Sequence, residues 1–284
     1  MAGQIWFGTR GREQWVPAPA VNVGASKVGW QTQMNYLNGG ALVRRSVASH
    51  KEFNLSWSLT TRERIRRVTD YADGVYGQGP IYWLDPFVAD TNLLPAYWAA
   101  PFMAAYDGPR LVTPNGSITA EETDDNNLGY PAESAVITVG TGAQPEVYIP
   151  LPPNYTAWVG AAGVAGGGTA GVQVLEAHGP TATDNATTLT LLGVNDSTRF
   201  NHMVDGSDGA TGIVIRFTGS GTFTLSGMIV QVLPDGRNPE QGGFISGQGH
   251  SGARFQSQPQ LTQYNAVLDR VGLSATLVET EAWL

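Results

Sequence analysis

The chain has 284 residues, a formal net charge of −8 and no cysteine. Without cysteine there is no disulfide, thiolate nucleophile or cysteine-bound zinc, and the acidity argues against a surface built to neutralise nucleic-acid phosphates. With 36 glycines, 17 prolines and 14% charged residues, the composition favours short strands and turns over long helices. No run approaches the ~18 apolar residues that span a bilayer. The opening MAGQIWFGTRGREQWVP lacks the apolar stretch and cleavage site of a signal peptide. The protein is therefore expected to begin near Met1 and to fold in the cytoplasm of the cell that makes it.

In chain order, strands are predicted over 5–7, 14–16, 29–36 and 52–59. In the last of these Phe53, Leu55, Trp57 and Leu59 share one face, the period of a half-buried strand. Asn38-Gly39-Gly40 supplies a hairpin turn. A helix follows, with Thr60 and Glu63 spaced as a capping box, an apolar stripe at Ile65, Val68, Ala72 and Val75, and Gly74 and Gly77 at its end. Arg62, Arg64, Arg66 and Arg67 lie on its other side, with Arg44 and Arg45 upstream. In so acidic a chain this basic face reads as solvated or protein-contacting, not as a DNA footprint. Pro80, Pro86, Pro95 and Pro101 exclude regular structure across most of 80–102, leaving one short buried strand at Ile81-Tyr82-Trp83-Leu84. Tyr97 and Trp98 fall on an extended loop, where aromatics either cover a core or anchor a neighbouring subunit.

From Leu111 the chain changes to short runs rich in Thr, Val, Gly and Asn. Strands are predicted at 135–140, 146–151, 155–161, 171–176, 187–192, 212–218 and 221–231, with a bulge at Gly227. That spacing suggests a β-sandwich or jelly roll. After Pro234-Asp235-Gly236 the helix-plus-strand pattern of the first hundred residues returns. Ser257 and Gln260 mark a second helix with Leu261, Tyr264, Leu268 and Val271 as its stripe and Gly272 as its stop. Leu273, Ala275 and Leu277 then form a closing strand, which should pair with sheet from the first hundred residues. The expected fold is mainly β with two helices. It is a discontinuous α+β platform domain of residues 1–110 and 236–284, interrupted by an inserted, carbohydrate-binding-like β-sandwich of residues 111–235.

Catalytic chemistry finds little purchase. His50, His178, His202 and His250 lie far apart in sequence, outside metal-ligand spacing. Glu121-Glu122 and Asp124-Asp125, followed by Asn126-Asn127, offer oxygen ligands but lack the EF-hand pattern, so a solvated loop is the plainer reading. Asp205-Gly206-Ser207-Asp208-Gly209 reads as a tight turn. The Gly-rich stretch from Gly247 to Gly252 has no βαβ context for a dinucleotide. No catalytic residue, metal or cofactor is expected, and the chain does not read as an enzyme. Tyr148, Tyr155 and Trp158 are candidates for stacking on sugar rings. The rival assignment places them in the sandwich core, because Val147, Ile149 and Val159 share their strands.

The stretches GPIYWLDP (79–86), TNLLP (91–95) and WAAP (98–101), with GHSG (249–252), LDRVGLSATLVE (268–279) and the closing Trp283-Leu284, resemble minor tail proteins of long-tailed actinobacterial bacteriophages, in particular the distal tail class. The likeness covers the two flanking parts, about half the chain. It implies a structural homohexameric ring in the virion tail tip, docked on the tail tube protein above and on the tail-tip hub and tape-measure protein below. DNA would only pass through the lumen, and the sandwich would face outward. Arg62, Arg66, Arg67, Tyr97 and Trp98 are then the candidates for subunit contacts. The alternative is an adsorption protein whose sandwich binds a host cell-wall glycan. A glycan hydrolase would need two carboxylates across a cleft, and no such pair stands out.

Overall fold

The alternating runs become strands almost throughout. The computed structural model describes residues 3–20, 24–28, 31–35, 41–45, 50–84, 89–102, 115–122, 133–142, 144–192, 198–239, 247, 249–250, 252–265 and 269–280. The expected turn at Asn38-Gly39-Gly40, the acidic run from Asp124 to Asn127, Leu268 and the closing Trp283-Leu284 lie outside these residues.

The first part holds β1 (Gln4–Thr9), β2 (Gln14–Pro17), β3 (Gly24–Val28), β4 (Gln31–Asn35), β5 (Ala41–Arg45), β6 (His50–Thr61), α1 (Arg62–Ala72), β7 (Ile81–Leu84) and α2 (Ala96–Ala99). The middle holds β8 (Ser117–Glu122), β9 (Glu133–Val139), β10 (Glu146–Pro150), β11 (Tyr155–Val164), β12 (Gly171–His178), β13 (Ala182–Thr188), β14 (His202–Asp205), β15 (Gly212–Thr218) and β16 (Gly221–Pro234). The tail adds β17 (Ala253–Phe255), β18 (Gln260–Asn265) and β19 (Arg270–Glu279).

One eight-stranded sheet runs β2-β1-β7-β17-β19-β6-β3, with β18 also on β19, while β4 and β5 pair with each other. Both ends of the chain build this sheet. As expected, the closing strand joins the early part: Leu273, Ala275 and Leu277 lie opposite Trp57, Leu55 and Phe53 of β6. Helix α1 covers the sheet through Ile65, Val68 and Tyr71. Its N-cap is Thr61 rather than Thr60, and that side chain makes no cap bond; instead Asp269 accepts from the Arg62 backbone N–H at 3.3 Å. Val75 is exposed because the helix has already ended, with Gly74 in the left-handed region at φ 74°.

The middle strands form two antiparallel sheets, β10-β15-β12-β13 and β14-β11-β16-β9-β8. Val172, Val174, Ile213, Ile215 and Phe217 of one pack with Ile137, Val159, Phe223, Leu225 and Val230 of the other in a single buried cluster. This is the expected sandwich. Its bulge falls between Ala162 and Gly163 opposite Ser226, one residue from Gly227. The strand expected at 187–192 lies earlier, at β13. The short strands β8 and β14 were not foreseen, because their polar and brief sequences carry little alternation.

Two expectations are corrected. The described residues of 257–272 are not a helix. Leu261 and Tyr264 have helical spacing but are 45% and 57% exposed, and Val271 is buried in the next strand. The flank of β19 facing away from β6 needs a ladder partner, and β18 supplies it, overriding the local period. The loop carrying Tyr97 and Trp98 is the short helix α2, and Trp98 is 1% exposed against Phe217, ring centroids 5.3 Å apart. Its neighbour segment runs along β16. The Leu93 N–H donates to Val230, and Val232 donates to Ala89. The buried Asn92 side chain donates to the Met228 carbonyl and accepts from Leu94 and Val230. Segment 89–99 is thus sealed into the sandwich core, although it precedes residue 111.

Candidate functional site

The most developed polar arrangement is the joint between the eight-stranded sheet and the sandwich. The turn from β1 to β2, residues 10–13, presses onto the outer face of the sheet containing β10, β12 and β15. Gly11, at φ 68°, is required there: a Cβ would stand 2.0 Å from the Gly179 carbonyl carbon. Tyr148, Leu175, Ala177 and Val214 form the sandwich side of the contact, with Tyr82 of β7 packed against them. The Tyr82 and Tyr148 rings meet edge to face at 4.8 Å. Arg10 lies over the Tyr148 ring at 5.2 Å and bonds Glu146 at 3.0 Å. Trp15 and Tyr155 add a second contact at 6.0 Å.

Glu13 sits at the centre, 5% exposed. Burial pushes its carboxyl up to about 7, against opposing hydrogen bonds from Tyr148 and the backbone and the charge of Arg10. The Tyr148 hydroxyl is 2.8 Å from Glu13 Oε1 and 3.0 Å from the Thr211 carbonyl. A phenol has one proton and cannot serve both acceptors. When Glu13 is protonated it donates to Tyr148, and Tyr148 donates to Thr211. When Glu13 ionises, it accepts the tyrosine O–H as a hydrogen bond, and the Thr211 carbonyl loses that donor. The joint therefore holds a proton below about pH 7 and releases it above. No local pattern signals this, because Glu13 is a lone acid in a turn and its hydrogen-bond partner Tyr148 is 135 positions away.

Beside the joint lies a cleft of about 500 Å³ with Arg10, Arg12, Arg254, Tyr82 and Tyr148 among its walls. Arg10 is paired with Glu146, which also lines the cleft, so Arg12 and Arg254 are the guanidinium groups left to meet an anionic ligand.

The aromatic candidates do not share one surface. Tyr148 is 3% exposed and belongs to the joint, so it has no face to offer a sugar. Tyr155 is half-buried against Trp15. Trp158 is half-buried on β11, its ring 6.5 Å from Phe200. Of the interface candidates, Arg62, Arg66 and Arg67 are exposed on α1. Arg66 reaches Asp70 at 3.8 Å, and Arg67 donates to the Trp15 carbonyl at 3.1 Å. Tyr97 is half-buried against the core, and Trp98 is inside it, so Trp98 presents no surface to a neighbour.

The Gly-rich stretch has a packing role. A Cβ on Gly249 would lie 1.6 Å from the Leu93 carbonyl oxygen. His250 is enclosed between Phe53 and Trp83, the latter ring 3.8 Å away. Burial, with the nearby Lys51 charge, lowers it to about 3, so it is neutral. Asp205–Gly209 is the expected tight turn, with Asp205 accepting from the Ser207 N–H at 2.8 Å. Among the described residues, Glu176, His178 and Asp184 are the group whose spacing suits a metal ion.

No protein-family model and no curated protein matches the chain. Among solved structures it is similar, at 14% identity and TM-score 0.31, to the enzymatically active domain of tailspike protein 4 of bacteriophage CBA120, over 53% of this chain and 22% of that one. It is also similar, at 8% identity and TM-score 0.26, to the N-terminal CBM22 tandem domain of Paenibacillus barcinonensis Xyn10C, over 56% and 54% of the two chains. A third likeness, to infectious bursal disease virus Gx strain, has 11% identity and a TM-score of 0.22 over 98% of this chain and 76% of that one. The chain thus spans about a fifth of the tailspike structure's length, and likenesses this distant carry no inference about function.

Proposed function

We propose that this chain is a structural protein of the tail tip of a long-tailed bacteriophage, forming a ring at the distal end of the tail tube. It acts by assembly rather than by catalysis. The eight-stranded sheet built from both chain ends serves as the ring platform, and the sandwich, with segment 89–99 in its core, as an outward-facing module. The observation that carries this reading is the interrupted sheet: strands from both chain ends close one platform, and a sandwich is spliced in between β7 and β17. The resemblance of the flanking stretches supports it. So does the exposed arginine face of α1, which in a chain of net charge −8 can meet the carboxylates of a neighbouring copy or of the tube and hub proteins. Light scattering and electron microscopy of the purified protein test it. A ring of about six copies with a central hole is expected; a monomer or dimer at every concentration would refute it.

The cleft beside the joint favours a second reading, adsorption to an anionic host cell-wall glycan. Binding to purified cell walls that is lost in an Arg12→Glu, Arg254→Glu double variant, while the protein stays monomeric, would decide for it.

A further inference from the structure

Glu176 and His178 are two residues apart on β12, so their side chains stand on one face. Asp184 lies directly opposite Glu176 on β13. One ligand atom from each of the three comes within 4.8 Å of the others. The row they continue is the inward row of Val172 and Val174, so the group stands at the rim where the sandwich core ends. His202 on β14, in the facing sheet, is close enough to feel the charge of Glu176.

The histidine's hydrogen bonding indicates what the group is for. His178 Nδ1 is 3.2 Å from the Gly209 carbonyl oxygen. A carbonyl only accepts, so Nδ1 carries a proton, and Nε2 is the ring atom that faces the carboxylates. Nε2 lies 2.8 Å from Asp184 Oδ1 and 3.6 Å from Glu176 Oε2. It is shielded from solvent, yet forms no hydrogen bond with either. A second proton on Nε2 would need an acceptor along the N–H direction. A cation on the lone pair instead collects its other ligands off that axis, where these oxygens are. A backbone carbonyl on the far ring nitrogen is also what fixes a metal-binding imidazole in the right tautomer. The Asn185 amide, donating to Glu176 Oε2 at 2.8 Å, orients one carboxylate in the same way.

We propose that Glu176, His178 and Asp184 bind a divalent cation of the zinc class, which staples β13 to β12. One imidazole nitrogen and two carboxylates are donors zinc binds, and they balance its charge and leave the exposed side open for water. Calcium and magnesium favour all-oxygen shells and fit less well. The strand gained is one that needs help. All seven residues of β13 are exposed, and its ladder with β12 is broken between Val174 and Glu176. This assignment does not depend on the tail-tip reading.

The test uses tag-free full-length protein, stripped with EDTA, dialysed and titrated with zinc chloride in a calorimeter. A single site per chain is expected, with the thermal midpoint rising with zinc and unmoved by magnesium. His178→Ala and Asp184→Asn should each weaken zinc binding by at least about tenfold. The three side chains stand on the rim, so far-UV circular dichroism should report a folded protein for both variants. Absence of zinc binding, or zinc binding unchanged in folded His178→Ala, overturns the proposal and leaves an ordinary imidazole–carboxylate contact.

Discussion

Replacing Glu13 by Gln should make the protein more stable above neutral pH and nearly unchanged below pH 5. The Glu13 carboxyl is held at about 7 in the fold against 4.5 when free. The folded state therefore binds its proton more tightly than the unfolded chain does. That contribution is fully present below pH 4.5 and is lost as pH rises through 7. At roughly 1.4 kcal/mol per pH unit, the full loss is on the order of 3 kcal/mol. His250 works the other way. It is held down to about 3 against 6.5, so its contribution is present above pH 6.5 and is lost as pH falls toward 3. The two slopes oppose each other between pH 4.5 and 6.5, and the pH profile of the native protein alone would mix them. The difference between native protein and Glu13→Gln isolates the joint, because Gln cannot ionise and His250 is common to both. Urea unfolding followed by tryptophan fluorescence from pH 4 to pH 8.5 should show the variant gaining by about 3 kcal/mol on the native protein, mostly between pH 4.5 and 7. Parallel profiles would show that Glu13 titrates alike in the folded and unfolded chains, and the proton-holding joint would be wrong.

Trp98→Ala should cost about 3–5 kcal/mol as a core truncation and leave assembly size unchanged; an intact melting temperature with lost oligomers would contradict the buried placement. A fragment of residues 112–236 should melt well below one of residues 89–238, because only the longer one carries Leu93, Leu94 and Trp98 into the sandwich core; equal melting would show that this segment is dispensable. Arg66→Glu with Arg67→Glu should reduce ring formation, with the loss greatest at low ionic strength, and duplex DNA binding should be negligible before and after. A steep salt-dependent affinity for DNA in the native protein would place α1 on the lumen instead.

Much of the architecture is legible in local pattern. Phe53, Leu55 and Trp57 alternate without interruption, and β6 follows them; Gly74 stops α1 because it alone adopts the needed dihedral cheaply. Failures came where a distant partner decides. Leu261 and Tyr264 look helical until β19 requires a ladder. Trp98 looks like a loop residue until Phe217 arrives from 119 positions away to cover it. The joint was illegible for the same reason. A carboxyl in a turn is ordinary, and what makes Glu13 unusual is the desolvation imposed by Tyr148 and its sheet. The rim group shows the opposite limit. Glu176 and His178 are two positions apart in sequence, which alone marks no site, and Asp184 joins them only through the antiparallel register of β12 and β13.

The placement of β19 next to β6 has a consequence for synthesis. The platform sheet stays open on the ribosome until residues 270–279 emerge, and the whole sandwich is made in the meantime. At elongation rates of roughly 5–20 residues per second that interval is on the order of ten seconds or more. Throughout it, β6 presents one bare flank with Phe53, Leu55 and Trp57 uncovered. The sandwich, contiguous apart from segment 89–99 that precedes it, can close during this wait and so reach its native form first. A chain that stalls or is cut before its last thirty residues would carry a finished appendage on an unfinished base, with an adhesive edge ready to pair with any other nascent copy nearby.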